Sequence, residues 1–445
     1  MITPTSRIRL HLRRVISAGI LVALVPGATA QHIGKVQAQV LPPLTLERAA
    51  RLALEWHPSV VQAASEIGIQ EQAIAEARAA YLPQVSAGVS SGYDNRLAEG
   101  WRPRPQVGAQ QMLFDFGKVR SAIAAARSGR DAEHAELLLA IDELVRETAN
   151  AVIEMQRSIA LYAVAEEQLA SVGGIARLVQ DRYETGATTQ SDALQAQARV
   201  EAARATLVQI EAERRRWGSN LTYLLARDAP GDVSADVPAW LASGCSRPAP
   251  DWTAVPAVMA ADARQDFAEA QLRRSRADRL PTLSLGGDAS TDFTSPFGDR
   301  SLYNVGLRVT GNVFNGGAIR ARVRGADAAL SAARAGSQRA RLESRQRLAE
   351  AQQQVSSLSG LTDMLAARQA AMLDTGRLYR LQYLEMGTRT LVDLLNAEQE
   401  LHATRFQAVN TEHDLRRLRL DCLFYSGQLR DALGLAGVRV AGVTI

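Results

Sequence analysis

Along most of the chain apolar residues recur at steps of three and four, the spacing that gathers them on one face of an α-helix. From Val119 to about Arg182 there is no proline, and Leu138, Ile141, Val145, Thr148, Val152, Met155, Ile159 and Tyr162 mark the expected seam. At about 1.5 Å per residue this tract makes roughly 95 Å of helix. A turn at Gly186 reverses it into a second helix, whose seam runs from Ala193, Ala196 and Val200 to Arg214, Trp217, Leu221 and Leu224. The last tract keeps a heptad through Leu394, Leu401, Ala408, Leu415, Cys422 and Leu429. Sustained heptads call for helices packed along their lengths.

Elsewhere the period falls to two. Val85, Ala87, Val89, Ser91 and Tyr93 alternate with Gln84, Ser86, Gly88, Ser90 and Gly92, and Leu283, Leu285, Ala289 and Phe293 with Thr282, Ser284, Asp288, Ser290 and Asp292. Returning strands follow a Gly/Pro/Asp-rich loop, so the pattern predicts two hairpins, with strands at about 84–94 and 105–114 and at about 282–293 and 302–314. Helices at about 45–80 and 255–279 precede them, each stopped at a Leu-Pro step. Strands of about ten residues suit a tilted crossing of a bilayer. Tyr93, Trp101, Phe114, Phe293, Tyr303 and Phe314 fall near strand ends, where an interfacial girdle would place them.

The chain also repeats itself. Leu82-Pro83 matches Leu280-Pro281, Phe114-Asp115-Phe116-Gly117 matches Phe314-Asn315-Gly316-Gly317, and Gly186 with Asp192 and Leu194 matches Gly387 with Asp393 and Leu395, always about 200 residues apart. The expected organisation is a signal segment at 1–30, a first repeat at 31–236, a second at 237–434 and a tail at 435–445.

Charge sharpens this picture. The 445 residues hold 51 Lys and Arg against 47 Asp and Glu, but Arg7, Arg9, Arg13 and Arg14 sit in a first thirty residues without an acid. With the apolar run Val15 to Val25 and Ala28-Thr29-Ala30, they read as a secretory signal, so the mature chain is expected to start at Gln31 and to carry no net charge. A neutral chain gives no electrostatic case for nucleic acid. That apolar run is too short to span a bilayer, and no transmembrane helix is expected after it. Two cysteines, Cys245 and Cys422, exclude a disulfide framework and leave one bridge open.

Four membrane strands cannot close a barrel, and an open edge in lipid leaves backbone groups without partners. The strand reading therefore requires oligomerisation. Two copies would give eight strands around a filled interior; three would give twelve around a lumen, which the small polar faces favour.

The signal segment, the paired repeats and above all the turn Gly387-Thr388-Arg389-Thr390-Leu391-Val392-Asp393-Leu394-Leu395 resemble the TolC family of outer-membrane export channels over residues 44 to 434. The resemblance implies a mainly α fold with a pair of membrane β-hairpins, assembled as a homotrimer. Its twelve-stranded barrel would sit in outer-membrane lipid of a Gram-negative cell, continued by an α-helical barrel through the periplasm. It implies a periplasmic adaptor and an inner-membrane transporter as partners, with the turns at Gly186 and Gly387 as docking tips. It also implies a periplasmic gate: Asp393 matches the family's aspartate ring, Arg389 a constricting arginine and Asp192 its cross-helix partner. Asn396 stands where TolC has a second aspartate and Leu384 where it has a tyrosine, so a less acidic, less tightly latched mouth is expected. Without the resemblance, Asp192 and Asp393 read as helix-capping acids.

The function expected is a passive exit duct, not an enzyme, and one without a cofactor or metal. Type I protein secretion is favoured because no lipid-anchor cysteine follows the signal; drug or metal efflux is the alternative, and a soluble periplasmic coiled-coil scaffold or adaptor is the reading of another class. Gly88-Val89-Ser90-Ser91-Gly92 has the spacing of a nucleophile elbow but lies in mid-strand, without the strand-turn-helix that chemistry needs. His402 and His413, about 16 Å apart on one helix, are too distant to share a metal and read as solvated. Arg214 to Arg216 and Arg416 to Arg419 read as solvated faces, with lipid-headgroup contact as the alternative, and Cys422 as a small seam residue.

Overall fold

The computed structural model describes residues 42–94, 99–248, 250–291, 302–311 and 314–444, without the side chains of 92–94, 99–102 and 444. The expectations for the signal segment 1–30 and for Phe293 lie outside the described residues, as do those for the Tyr93 and Trp101 side chains.

Two helices open the described residues, α1 (Leu46–Trp56) and α2 (Pro58–Ala79), where one was expected. Proline cannot donate the backbone N–H a continuing helix needs, and it starts the second helix instead. Strands β1 (Gln84–Asp94) and β2 (Glu99–Phe114), long helix α3 (Lys118–Glu184) and helix α4 (Gln190–Leu225) complete the first repeat. A linker carries the short α5 (Ala239–Ala242) and a 3-10 turn at Trp252–Ala254. The second repeat has the same order: α6 (Pro256–Ala277), β3 (Thr282–Ser290), β4 (Leu302–Thr310), α7 (Ala318–Leu381), a π-type turn at Gln382–Met386, and α8 (Leu391–Tyr425). In the tail, α9 (Leu429–Ala432) precedes two-residue strands β5 (Arg439–Val440) and β6 (Val443–Thr444).

Strands β1 to β4 form one antiparallel sheet in sequence order, with β1 and β4 at its edges. β2 starts six residues before its expected position and runs through Pro103 and Pro105. The Pro105 carbonyl accepts from Thr291 N–H at 3.2 Å, so the missing N–H of each proline points to the β3 side, beyond the first paired residue, Gln106. Proline is tolerated where no ladder bond is lost. β3 and β4 end at Ser290 and Thr310, short of the expected 293 and 314.

From sheet to helix, both repeats use the same device. The Asp115 carboxylate accepts from the N–H groups of Gly117 and Val119 at 2.9 and 2.6 Å, and Asn315 Oδ1 accepts from Ile319 N–H at 3.4 Å. Each long helix of 67 or 64 residues then returns through a partner of 36 or 35, so α4 and α8 reach back along about half its length. α3 packs against α1, α2, α4, α6 and α8. A single seam cannot describe such a helix: Leu137, Leu144, Ala151 and Ile153 are also buried, while Ile159 of the expected seam is exposed. An α-helical stripe also drifts against a strict heptad. The largest apolar cluster gathers α1, the middle of α3 and the ends of α4 and α8 with α5 and α9. Fully burying each such leucine or isoleucine contributes about 1.5–3 kcal/mol. Trp56 Nε1 donates to the Leu224 carbonyl at 2.9 Å and Trp240 Nε1 to Glu47 at 2.6 Å, closing its rim.

Two expectations about polar residues are corrected, and one open question about the cysteines is answered. His402 and His413 are 1% and 5% exposed, not solvated. They lie in a polar seam between α3 and α8, where Ser171 donates to Glu398 at 2.9 Å and His402 Nε2 stands 3.6 Å from the same carboxylate. Arg416 is buried too, donating to Gln156 at 3.0 Å and to Glu412, and Arg214 stacks over the Tyr162 ring. Cys245 and Cys422 are bonded to each other, which answers the question the sequence left open.

Candidate functional site

The register of the sheet sorts side chains by face. Val85 pairs with Ala109, Ala87 with Val107, Val107 with Ala289, Leu285 with Leu307 and Leu283 with Val309, so one face is apolar across all four strands. That face is bare: Val85, Val305 and Tyr303 are 71%, 78% and 85% exposed. A bulge between Met112 and Phe114 sets Phe114 opposite Leu283, turning its ring onto the same face. Of the expected girdle, Phe114, Tyr303 and Phe314 are exposed. The opposite face aligns Ser86, Gly108, Asp288 and Asn304 in one row, with Gly286 and Gly306 in the next, and holds an ion pair of Asp288 with Arg308 at 3.7 Å. Ser90 lies inside β1, in mid-strand as read from the sequence.

No helix among the described residues is long and apolar enough to cross a membrane. A sheet with one exposed apolar face and one small polar face can instead separate lipid from water, once its edges are paired.

The other end of the molecule is built from the two helix turns. Gly186 and Gly387 hold φ of 73° and 62°, a left-handed conformation that glycine adopts without a Cβ penalty. After each turn comes a capping box. Thr189 accepts from Asp192 N–H at 3.2 Å, and Thr390 from Asp393 N–H at 3.2 Å, while each aspartate accepts from the threonine N–H. Asp192 also accepts from the Thr188 hydroxyl at 2.6 Å and Asp393 from the Thr390 hydroxyl at 2.9 Å. Bonds from Thr188 hold the Asp192 carboxyl below its ordinary range, and bonds from Thr390 do the same for Asp393, so both stay ionised. Ile175 and Val179 of α3, Ala196 of α4 and Tyr383, Leu391, Leu394 and Leu395 pack into one cluster that locks the two turns together.

Arg389 leans on the Tyr379 ring at 4.5 Å and donates to Gln382 at 3.2 Å; among the described residues no ion pair joins it to Asp393 or Asp192. Asn396 is exposed and lies 3.5 Å from Arg199, which donates to Gln399 at 2.5 Å and so ties α4 to α8. Sequence reasoning did not single out Arg199, nor Arg182 stacked over the buried Tyr383 ring at 5.2 Å. Their spacing from the turns was visible, but not the helix they face.

Comparison with known proteins agrees with this geometry. The family model described as outer membrane efflux protein matches residues 49–227 and 254–421. The chain is 26% identical over 391 residues to the outer membrane efflux protein BepC of Brucella suis, covering 83% of this chain and 82% of that one. It is 27% identical over 310 residues to protein CyaE of Bordetella pertussis, covering 65% and 64%. Its fold is similar to the Campylobacter jejuni CmeC outer membrane channel, with TM-score 0.75, 17% identity and 86% of each chain covered. It is also similar to VceC of Vibrio cholerae, with TM-score 0.74, 20% identity and 86% and 96% covered. The resemblance to TolC-like export channels read from the sequence is borne out, and the family and fold are those of channels rather than of enzymes. With two matched segments spanning both repeats, the chain belongs to the outer membrane efflux protein family, and its place is the outer membrane, reaching into the periplasm.

Proposed function

We propose that three copies of the chain close a twelve-stranded barrel in the outer membrane and form the passive exit duct of a tripartite exporter. The observation that carries this reading is the two-faced sheet with edges at β1 and β4. Its apolar face meets lipid, its row of glycines and small polar residues leaves a wide wet lumen, and pairing β4 of one copy with β1 of the next removes every edge.

The capped turns at the far end form the gate. Asp393 lines the mouth as a ring of fixed negative charge, and Arg389 and Asp192 link neighbouring helix pairs across copies. Asn396 makes that ring less acidic than a double-aspartate mouth. The tips at Gly186 and Gly387 receive a periplasmic adaptor, which couples the duct to an inner-membrane transporter. Single-channel conductance in a planar bilayer tests the reading, with wild type beside an Asp393→Ala, Arg389→Ala variant. Discrete cation-preferring steps that grow in the variant are expected; equal steps in both would remove the gate assignment, and failure of the wild type to insert would remove the channel.

The cargo we assign is an unfolded polypeptide, as in type I secretion, for which a lumen lined by glycines and small polar side chains is wide and wet enough. Efflux of small molecules is the second reading, favoured by the family description and by the name of the BepC relative. Expression in a strain stripped of its own exit channels separates them. Restored export of a polypeptide by a type I transporter supports the first, and restored dye extrusion without it supports the second.

A further inference from the structure

At the junction between sheet and helices, charge is concentrated in a chain that is otherwise close to neutral. Segments 115–127, 268–281 and 314–327 carry ten Lys or Arg residues against four acids. Arg120 and Arg320 lie in the first turn of α3 and α7, Arg324 one turn further, Arg274 in the last turn of α6 and Arg279 just past its end. All five are exposed, and among the described residues none makes an ion pair or a side-chain hydrogen bond. Arg273 pairs with Glu269, Arg276 with Asp327 and Arg322 with Asp278, while Arg127, two turns further along α3 than Arg120, is also without a partner among the described residues, so the five nearest the sheet are a surplus.

A second observation fixes the level of this surplus. Tyr81, Phe114, Phe116 and Phe314 are exposed at the same end of the sheet, and the bulge puts Phe114 on the apolar face with Leu283. Aromatic rings at the border of an outward apolar band mark the boundary between acyl chains and headgroups of a membrane barrel. At about 1.5 Å per helical residue, the five arginines stand within about 10 Å of that border, on its helical side. We propose that they form a collar that binds anionic phospholipid headgroups in the leaflet facing the periplasm. A guanidinium offers two parallel N–H donors to one phosphate, and basic residues beside a bilayer are drawn to its anionic lipids. The collar rests on the channel reading above, since it needs the apolar face in a bilayer.

The test uses the full protein reconstituted in vesicles of phosphatidylcholine alone and with about one third phosphatidylglycerol, unfolding being followed by circular dichroism. In low salt the anionic vesicles are expected to raise the wild-type midpoint by about 5 °C, and 1 M salt to erase the difference. An R120Q, R274Q, R279Q, R320Q, R324Q variant is expected to show no difference between the two vesicles. Inorganic phosphate added to phosphatidylcholine vesicles is expected to leave the midpoint unmoved. Equal wild-type midpoints, or a variant that keeps the difference, would overturn the collar. So would a variant with altered single-channel current in pure phosphatidylcholine, which would place the arginines in the lumen, or one that no longer assembles, which would place them between copies. A wild type that never inserts in either vesicle tells against the channel itself.

Discussion

Cys245, in the linker between the repeats, is bonded to Cys422, in the last turn of α8, with their Cα atoms 5.2 Å apart. The stretch between them, a sequence separation of 177, includes both strands and all but the end of the helices of the second repeat, which is thus a closed covalent loop. Gly244 lets the linker come this near, because a Cβ there would stand 2.6 Å from the Arg419 carbonyl oxygen. Closing a loop of this size is worth about 5 kcal/mol in the chain-entropy model. A Cys245→Ser, Cys422→Ser variant should lose most of that, read as a fall in unfolding midpoint that reductant reproduces in the wild type and leaves unchanged in the variant.

The capping boxes predict a local effect at the tip. Thr390→Ala removes the acceptor for Asp393 N–H and should cost about 1 kcal/mol, with faster hydrogen exchange in the first turn of α8 and none of that change in α4. Because Asp393 has its folded pKa lowered, its contribution is present above its unfolded value of 3.8 and is lost as pH falls through the folded value. Exchange measured at pH 7 and near pH 3 should show the Asp393→Asn effect shrinking at the lower pH.

Buried carboxylates predict the opposite slope elsewhere. Burial pushes Asp142 up to about 7 despite its 2.8 Å bond to Arg430, and burial also raises Glu154 and Asp421. A group with a raised folded pKa binds its proton more tightly when folded, so stability declines as pH rises from the unfolded value toward the folded one. For Asp142 that window is pH 4 to about 7. Asp142→Asn should flatten the dependence of the unfolding midpoint across it, and a wild-type midpoint that climbs steadily over this range would contradict the assignment.

Arg416 and Arg419 share a helix and differ in fate. Arg416→Ala strands the buried Gln156 and should cost about 2–3 kcal/mol in urea unfolding, whereas Arg419→Ala, which makes no side-chain bond among the described residues, should stay within about 0.5 kcal/mol.

Much of the fold was legible because local physics and global fold agree here. The Leu-Pro steps, the alternation from Val85 and Leu283, and the repeated Gly186 and Gly387 turns each name their own structure. The apolar and polar faces were legible for the same reason, since a strand sorts its side chains by parity. What the sequence hid depends on which element lies opposite. His402, His413 and Arg416 carry polarity that suggests water, yet α3 covers them, and nothing in α8 announces that cover. Likewise the Cys245–Cys422 distance is set by a linker whose path no periodicity encodes, and Pro103 reads as a loop until the register shows which neighbour its nitrogen lacks.

The edges of the sheet at β1 and β4 bear on heredity as well as on folding. A lone copy in the bilayer would hold two ladders of unmatched backbone groups, so insertion and assembly become one concentration-dependent event. A copy with a proline placed in β4, at Val305 or Leu307, would still offer a sound β1 to its neighbour and fail it on the other side. Produced at equal level beside the wild type, it would enter seven of every eight random threefold rings, a ratio given by about (1/2)³ left intact. A defect in one gene copy would then silence most of the channels made from the other.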